Sequence, residues 1–414
     1  MKVAIIGAGA SGLMLGGLLK KKGFDVTIFD HNEKAGKKLY ITGKGRCNMT
    51  NLCDETEFLK NVVRGGKFLT SALYSFNSYD TVEFFNNLHL KTKLERGNRV
   101  FPESDKSSDV IKALLKHCEG VNFLYNQNVT DVKVVESIEN EQKLVVTASG
   151  KEHVFDKVVI ATGGASYKTT GSDGSGYKIA KSLGHTVEEI KPALCPIKLN
   201  DDVSSLMGLS LKNVTLKAKF DGKNKEFFGE MMFTGDGITG PIVLSLSSYI
   251  NRAKSVELSL DLKPALTLEQ LDARLLRDFE ANKNKNISYI FKGLMPSSLV
   301  PFFAKMCRVD ESKKVHDILK EERRKISETL KNLPLSFNSL YPLDAGIITS
   351  GGVALDEINP KTFESKLVKN LYFVGEVLDI DALTGGFNLQ IAFSTAYKCG
   401  LGQTPTTLNA DTKN

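Results

Sequence analysis

Val3-Ala4-Ile5-Ile6-Gly7-Ala8-Gly9-Ala10-Ser11-Gly12 is the stretch on which the fold turns. Four apolar residues read as a short strand buried on both faces, the kind found in a parallel sheet. GxGxxG follows at once, and residues 12–22 read as a helix ended by Gly23. Val26–Phe29 is the next strand, with Asp30 at its end, 18 residues beyond Gly12. Each glycine then has a distinct role. Gly7 permits a tight turn, Gly9 lets a pyrophosphate approach the backbone, and Gly12 lets helix and strand pack closely. The free N–H groups of the helix start face the pyrophosphate, and Asp30 is placed to accept hydrogen bonds from ribose hydroxyls. A secretory leader would explain none of Gly7, Gly9, Gly12, Gly16 and Gly17, so the apolar start reads as a nucleotide fold and not as a signal peptide.

The same texture returns downstream. Val158–Ala161 is a buried strand running into Thr162-Gly163-Gly164, and Leu371–Val374 is another, ending in Gly375-Glu376. Gly385-Gly386-Phe387-Asn388-Leu389-Gln390 then opens the last helix. A chain that comes back to its first domain through strand, Gly-acid and helix builds the flavin end of an FAD site, a distinction that GxGxxG alone does not make. Backbone N–H groups of Asn388, Leu389 and Gln390 are expected at the N1/C2=O edge of the isoalloxazine, where a helix dipole stabilises reduced flavin. A second GxGxxG for a dedicated NAD(P)H domain is absent. Residues 171–176 run GxxGxG instead, so NAD(P)H is expected at most as a transient donor.

Between these halves the texture changes. Residues 193–262 alternate apolar and polar positions, as an antiparallel sheet requires. Residues 266–332 have helical period and hold fourteen Lys/Arg against ten Asp/Glu, +4 of the chain's +7. The expected fold is α/β: a discontinuous Rossmann-like FAD-binding domain (1–192 and 343–414), an inserted antiparallel β domain (193–265, with 333–342 returning) and a small helical domain (266–332). Residues 129–135 and 143–148 look like a hairpin, residues 34–51 a loop, and the following chain to about 119 helix and loop. The polar tail 404–414 is expected to fray.

No stretch has the apolar length of a membrane span. Six scattered cysteines without a CxxC pair fit free thiols in a reducing, cytoplasmic setting. No metal site is read. The net charge favours anionic ligands without approaching that of a protein that coats nucleic acid.

Residues 36–51, GKKLYITGKGRCNMTN, are the most distinctive run. Lys34, Lys37, Lys38, Lys44 and Arg46 are five cations with no acid among residues 34–46. Interleaved Gly43 and Gly45 suggest backbone wrapped around an anion, either reduced flavin or an anionic substrate; a solvated basic loop is the alternative. Cys47 in this setting is a packing residue or a stabilised thiolate. His185 and His316 read as surface or structural residues.

With GEMMFTGDGITGP (229–241) and GEVLDIDALTGGFNLQIAFSTA (375–396), this run makes the chain resemble the BaiN-type, aminoacetone-oxidase-like NAD(P)/FAD-dependent oxidoreductases. The resemblance implies FAD contacts at Ser11, Asp30, Lys38, Arg46, Asn51, Val129, Thr162, Gly375, Asn388, Leu389 and Gln390. Gly7, Gly9, Ala10, Gly12, His31, Gly43, Gly163 and Glu376 complete the candidate cofactor set. Gly235 stands where such proteins commonly carry His, which leaves Asp236, with Arg46, as a candidate catalytic residue. Three functions remain open: hydride transfer to or from a small organic substrate, reduction of uracil to dihydrouridine in ribosomal RNA, and a non-catalytic FAD-binding sensor. Substrate and oligomeric state are not legible.

Overall fold

The computed structural model describes residues 1–136 and 142–404. The residues joining the expected hairpin, and all but the first residue of the polar tail, lie outside that range. The chain divides into two compact units, Met1–Lys191 with Ile347–Asn414, and Pro192–Gly346.

The first unit is built on a five-stranded parallel sheet in the order Leu371–Phe373, Lys157–Ile160, Lys2–Ile6, Asp25–Phe29, Asn122–Leu124. Its central strands are buried along nearly their whole length, which is why they read as unbroken apolar runs. The helix Ala10–Lys21 lies against the last helix, Phe387–Leu401. Gly400 makes this close approach possible, since an added Cβ would already stand 3.3 Å from Leu18. Val129–Glu136, Gln142–Ala148 and Lys151–Phe155 form an antiparallel sheet.

Two features depart from the sequence reading. Residues 34–51 are not all loop: Lys37–Ile41 is a short helix entered through Gly36 at φ 73°. The region to residue 119 also contains a small antiparallel sheet of Thr50–Asn51, Arg99–Pro102 and Thr92–Glu95. Strands of two to four residues are too short to show a period.

The second unit holds a seven-stranded antiparallel sheet whose long central pair is Ser210–Phe220 and Lys223–Phe233. The helices Leu268–Ala281, Ile287–Leu294, Val300–Cys307 and Lys320–Lys331 follow in the same unit. Leu216, Phe233 and Leu260 from the sheet share one apolar core with Leu271, Phe291, Phe303 and Ile326 from the helices. The change of texture near residue 266 marks a change of element within one core. No helix among the described residues is long and apolar enough to cross a membrane.

Candidate functional site

The glycine turn sits at the carboxyl edge of the parallel sheet, where α/β folds bind nucleotides. Gly7 leaves its strand at φ 110° and donates its N–H to Phe29 O at 2.8 Å. A Cβ on Gly7 would lie 2.5 Å from Ala161 O, and one on Gly12 only 1.9 Å from Gly7 O. Gly9 differs: its φ of −87° suits any residue, and an added Cβ would meet nothing within 4 Å. The protein itself does not demand glycine there, but a ligand approaching the backbone would. Leu13 N–H donates to Gly9 O at 3.0 Å, so the helix leaves the N–H groups of Ala10, Ser11 and Gly12 without an intrahelical acceptor.

Asp30 closes this turn. Its Oδ2 accepts from Ala8 N at 2.8 Å; its Oδ1 accepts from Asn32 N at 2.8 Å and from Asn32 Nδ2 at 3.0 Å. Gln127 N–H donates to Asp30 O at 2.9 Å, which brings the segment leading to buried Val129 alongside. His31 and Asn32 flank Gly171, where a Cβ would come within 2.7 Å of each side chain. Thr162 packs under Gly176, whose Cβ would meet Thr162 Oγ1 at 2.0 Å.

The two glycine-rich ends meet at Ser11. Gly375, at φ 78°, donates its N–H to Thr395 Oγ1 at 3.0 Å, and a Cβ on it would stand 2.6 Å from Ser11 Oγ. The last helix is entered through Gly386 at φ 101°, pressed so closely on the Thr50 backbone that a Cβ would fall 2.4 Å from it. Here the sequence reading needs a correction. The Gln390 N–H is consumed by Gly386 O at 3.1 Å, so the helix start presents Phe387, Asn388 and Leu389. The Gln390 side chain is fully buried and committed: Oε1 accepts from Thr50 and Thr81 at 2.6 and 2.7 Å, and Nε2 donates to Phe76 O, Asn77 O and Ser394 Oγ. The Asn388 amide clamps Ala382 and Leu383 from the preceding loop.

Three of the five cations of the basic run have carboxylate partners within the protein. Lys37 pairs with Glu33 at 2.7 Å. Lys38 Nζ lies 2.7 Å from Glu376 Oε2 and 3.1 Å from Ser166 Oγ, while Glu376 Oε1 also accepts from Thr349 N at 3.0 Å. Arg46 is held between Glu95 and Asp105, its Nε 2.9 Å from Asp105 Oδ1, and stacks 4.2 Å over the Phe101 ring. Arg46 holds the Glu95 carboxyl below the usual carboxylate range, and Lys93 with Arg46 does the same for Asp105. These acids come from 49 and 59 residues further on, beyond the reach of a local charge count.

Gly43, at φ 61°, turns this run against the Cys47 and Asn48 backbone, and Asn51 Nδ2 donates to Gly97 O and Gly385 O at 2.9 and 3.1 Å. Cys47 is a packing residue: it is fully buried, and burial pushes its thiol up to about 12. His185 is structural, buried with Nε2 2.8 Å from Ser365 Oγ.

The model of the family described as HI0933-like protein Rossmann domain matches residues 1–402. The chain belongs to this family. It is 28% identical to the 3-dehydro-bile acid delta(4,6)-reductase of Clostridium scindens, over 96% of this chain and 98% of that one. It is 30% identical to the ribosomal RNA dihydrouridine synthase of Haemophilus influenzae, over 96% and 97%. Among solved structures it resembles the 3-ketosteroid delta1-dehydrogenase of Sterolibacterium denitrificans, with TM-score 0.51 at 11% identity over 96% and 98% of the two chains, a likeness of fold alone. The HI0933-like chain described here is an FAD-dependent oxidoreductase.

Its residues fit that cofactor. The space over Gly9 and the helix start that follows it would hold a pyrophosphate, and the Asp30 carboxylate braces the same turn. The buried Oδ1 of Asn48 meets no donor among the described residues.

Asp236 lies in the second unit and is more than half exposed. It accepts a hydrogen bond from the Tyr341 hydroxyl, and Lys198 Nζ stands 3.5 Å from its Oδ2 and 5.1 Å over the Tyr341 ring. The Tyr341 hydroxyl is the main cause of an Asp236 carboxyl held below its usual range. A Cβ on Gly235 would meet only Met207 Sδ, at 3.7 Å, so the backbone leaves room for a side chain there. Tyr341, 105 residues away, carried no sequence signal.

Proposed function

We propose that this family member is a reductase for a small organic molecule with an electron-poor double bond, drawing electrons from transiently bound NAD(P)H. FAD, when bound, supplies a two-electron hydride acceptor and donor at N5. The observation that carries the reading is the contact of the first helix start with the Gly-acid turn that precedes the last helix in the chain: a Cβ on Gly375 would stand 2.6 Å from Ser11 Oγ. The first start suits the pyrophosphate. The start of the last helix places the N–H groups of Phe387, Asn388 and Leu389, and the positive end of a helix of 15 residues, where negative charge on a reduced ring is stabilised. Lys38 neutralises Glu376, which keeps that carboxylate compatible with an anionic cofactor nearby. Arg46, bound by two acids, serves as a brace for residues 43–48. Six cysteines without disulfides support a reducing, cytoplasmic setting.

Denaturing the purified protein should release FAD and no FMN. The holoprotein should then be reduced anaerobically by NADH or NADPH and reoxidised by members of a panel of conjugated enones. Released FMN, or a flavin that no enone reoxidises, would overturn the reading.

Reduction of a uracil C5=C6 bond in ribosomal RNA is a second reading of the same chemistry. The name of the Haemophilus influenzae relative and the +4 of residues 266–332 support it. Dihydrouridine in ribosomal RNA that disappears with the gene and returns with it would establish this reading over the first.

A further inference from the structure

A buried oxygen that accepts nothing costs free energy comparable to a lost hydrogen bond unless a partner arrives. Asn48 Oδ1 is such an atom in the first unit, and its position is informative. Cys47, before it, turns the chain at φ 61° and donates its N–H to Thr42 O at 2.9 Å. Met49, after it, donates to Val100 O at 2.9 Å, the residue that Thr50 also faces. Cys47 and Met49 are both fully buried. Thr50, two residues on, lies at the start of the last helix. The Thr50 hydroxyl donates to Gln390 at 2.6 Å, the Thr50 backbone lies against Gly386, and Asn51 Nδ2 reaches Gly385 O at 3.1 Å.

Other unpartnered buried nitrogens and oxygens of this unit lie elsewhere. His117 sits against Gly17, His185 against Ser365, and Gln403 follows the far end of the last helix. Asn48 alone of these stands within two residues of a contact with the helix start, the one that Thr50 makes with Gly386.

The chemistry of the pyrimidine edge of a flavin supplies what this oxygen lacks. N1, C2=O and C4=O are acceptors, and backbone N–H groups satisfy them. N3–H is a donor between two acceptors. A helix start, which offers only donors, cannot satisfy it. It calls for an acceptor beside the helix start, and an amide suits it better than a carboxylate, because the flanking C2=O and C4=O repel negative charge.

We propose that Asn48 positions the isoalloxazine ring, its Oδ1 accepting a hydrogen bond from flavin N3–H. Asn48 thereby complements the N–H groups of Phe387, Asn388 and Leu389, so that donor and acceptor together fix which way the ring faces. This assignment rests on the proposed placement of the flavin ring at the start of the last helix.

The test uses FAD and N3-methyl-FAD, which lacks the donor, titrated into apoprotein and followed by flavin fluorescence. Wild-type protein should bind N3-methyl-FAD about tenfold or more weakly than FAD, the factor a hydrogen bond to a buried acceptor provides. Asn48→Ala, which removes the acceptor and makes room for the methyl group, should bind the two alike. Equal affinities in the wild type, or discrimination that survives in Asn48→Ala, would overturn the assignment. A second measurement needs no variant. In wild-type protein loaded with FAD labelled at N3 with 15N, the imide proton should move downfield and exchange slowly with solvent. An imide that exchanges as it does in free FAD would also overturn the assignment. A wild-type protein that binds no FAD would instead sink the underlying cofactor reading, which the titration with FAD alone reveals.

Discussion

The Asp30 carboxylate receives three N–H groups, from the Ala8 backbone and from the backbone and amide of Asn32. It therefore braces the glycine turn, and the proposed ribose contact would use its remaining lone pairs. Asp30→Ala should weaken FAD binding by roughly 1–3 kcal/mol, the worth of hydrogen bonds to a charged acceptor, read by titrating refolded apoprotein. An unchanged affinity would show that the ribose is held elsewhere. The place of Asp30 beside the glycine turn was legible because a strand, a glycine turn and a helix fix its distance from Gly12. Arg46 was only half legible. Its motif stood out, but Glu95 and Asp105 reach it from a sheet whose strands are too short to announce themselves. Gln390 was legible as part of the helix-opening motif, yet its N–H belongs to the helix and its amide to Thr50, Thr81 and Phe76.

Helices packed on the first helix extend this dependence on small residues to whole elements. The helix Ser107–His117 approaches so closely that a Cβ on Gly17 would stand 2.1 Å from the His117 ring. The glycine was visible in the sequence, but its partner, far along the chain, was not. His117 Nε2 lies 3.1 Å from Met14 O, so the ring donates there, and Nδ1 has no partner among the described residues. A second proton would put a donor into a site with no acceptor. Burial accordingly pulls the imidazole down to about 4, against about 6.5 for an unfolded histidine. Because the folded value is depressed, the contribution is complete above pH 6.5 and is lost as pH falls towards 4. Its full size is on the order of 3 kcal/mol. Urea midpoints should fall over that window in wild type, and less in His117→Gln, which keeps a donor for Met14 O but cannot charge. Equal pH dependence in the two proteins would remove His117 as the cause.

At the scale of the whole molecule, net charge was the least reliable guide, because a count of +7 says nothing of where each charge is spent. Of the fourteen Lys/Arg in residues 266–332, six lie in ion pairs: Arg274, Lys283, Lys313, Arg323, Arg324 and Lys331. Lys37, Lys38 and Arg46 of the basic run are paired as well. A phosphate competing for such a cation must displace a carboxylate or sit beside it, and either weakens the counterion release on which binding to nucleic acid depends. For a reductase of small molecules, affinity for a ribosomal RNA fragment should therefore change by less than about tenfold between 50 and 200 mM salt. Six or more phosphate contacts would instead lower it by about a thousandfold or more over the same range. A slope of that size, reduced by about one unit in a Lys44→Ala variant, would move the balance to the RNA reading and place the basic run on the phosphate backbone.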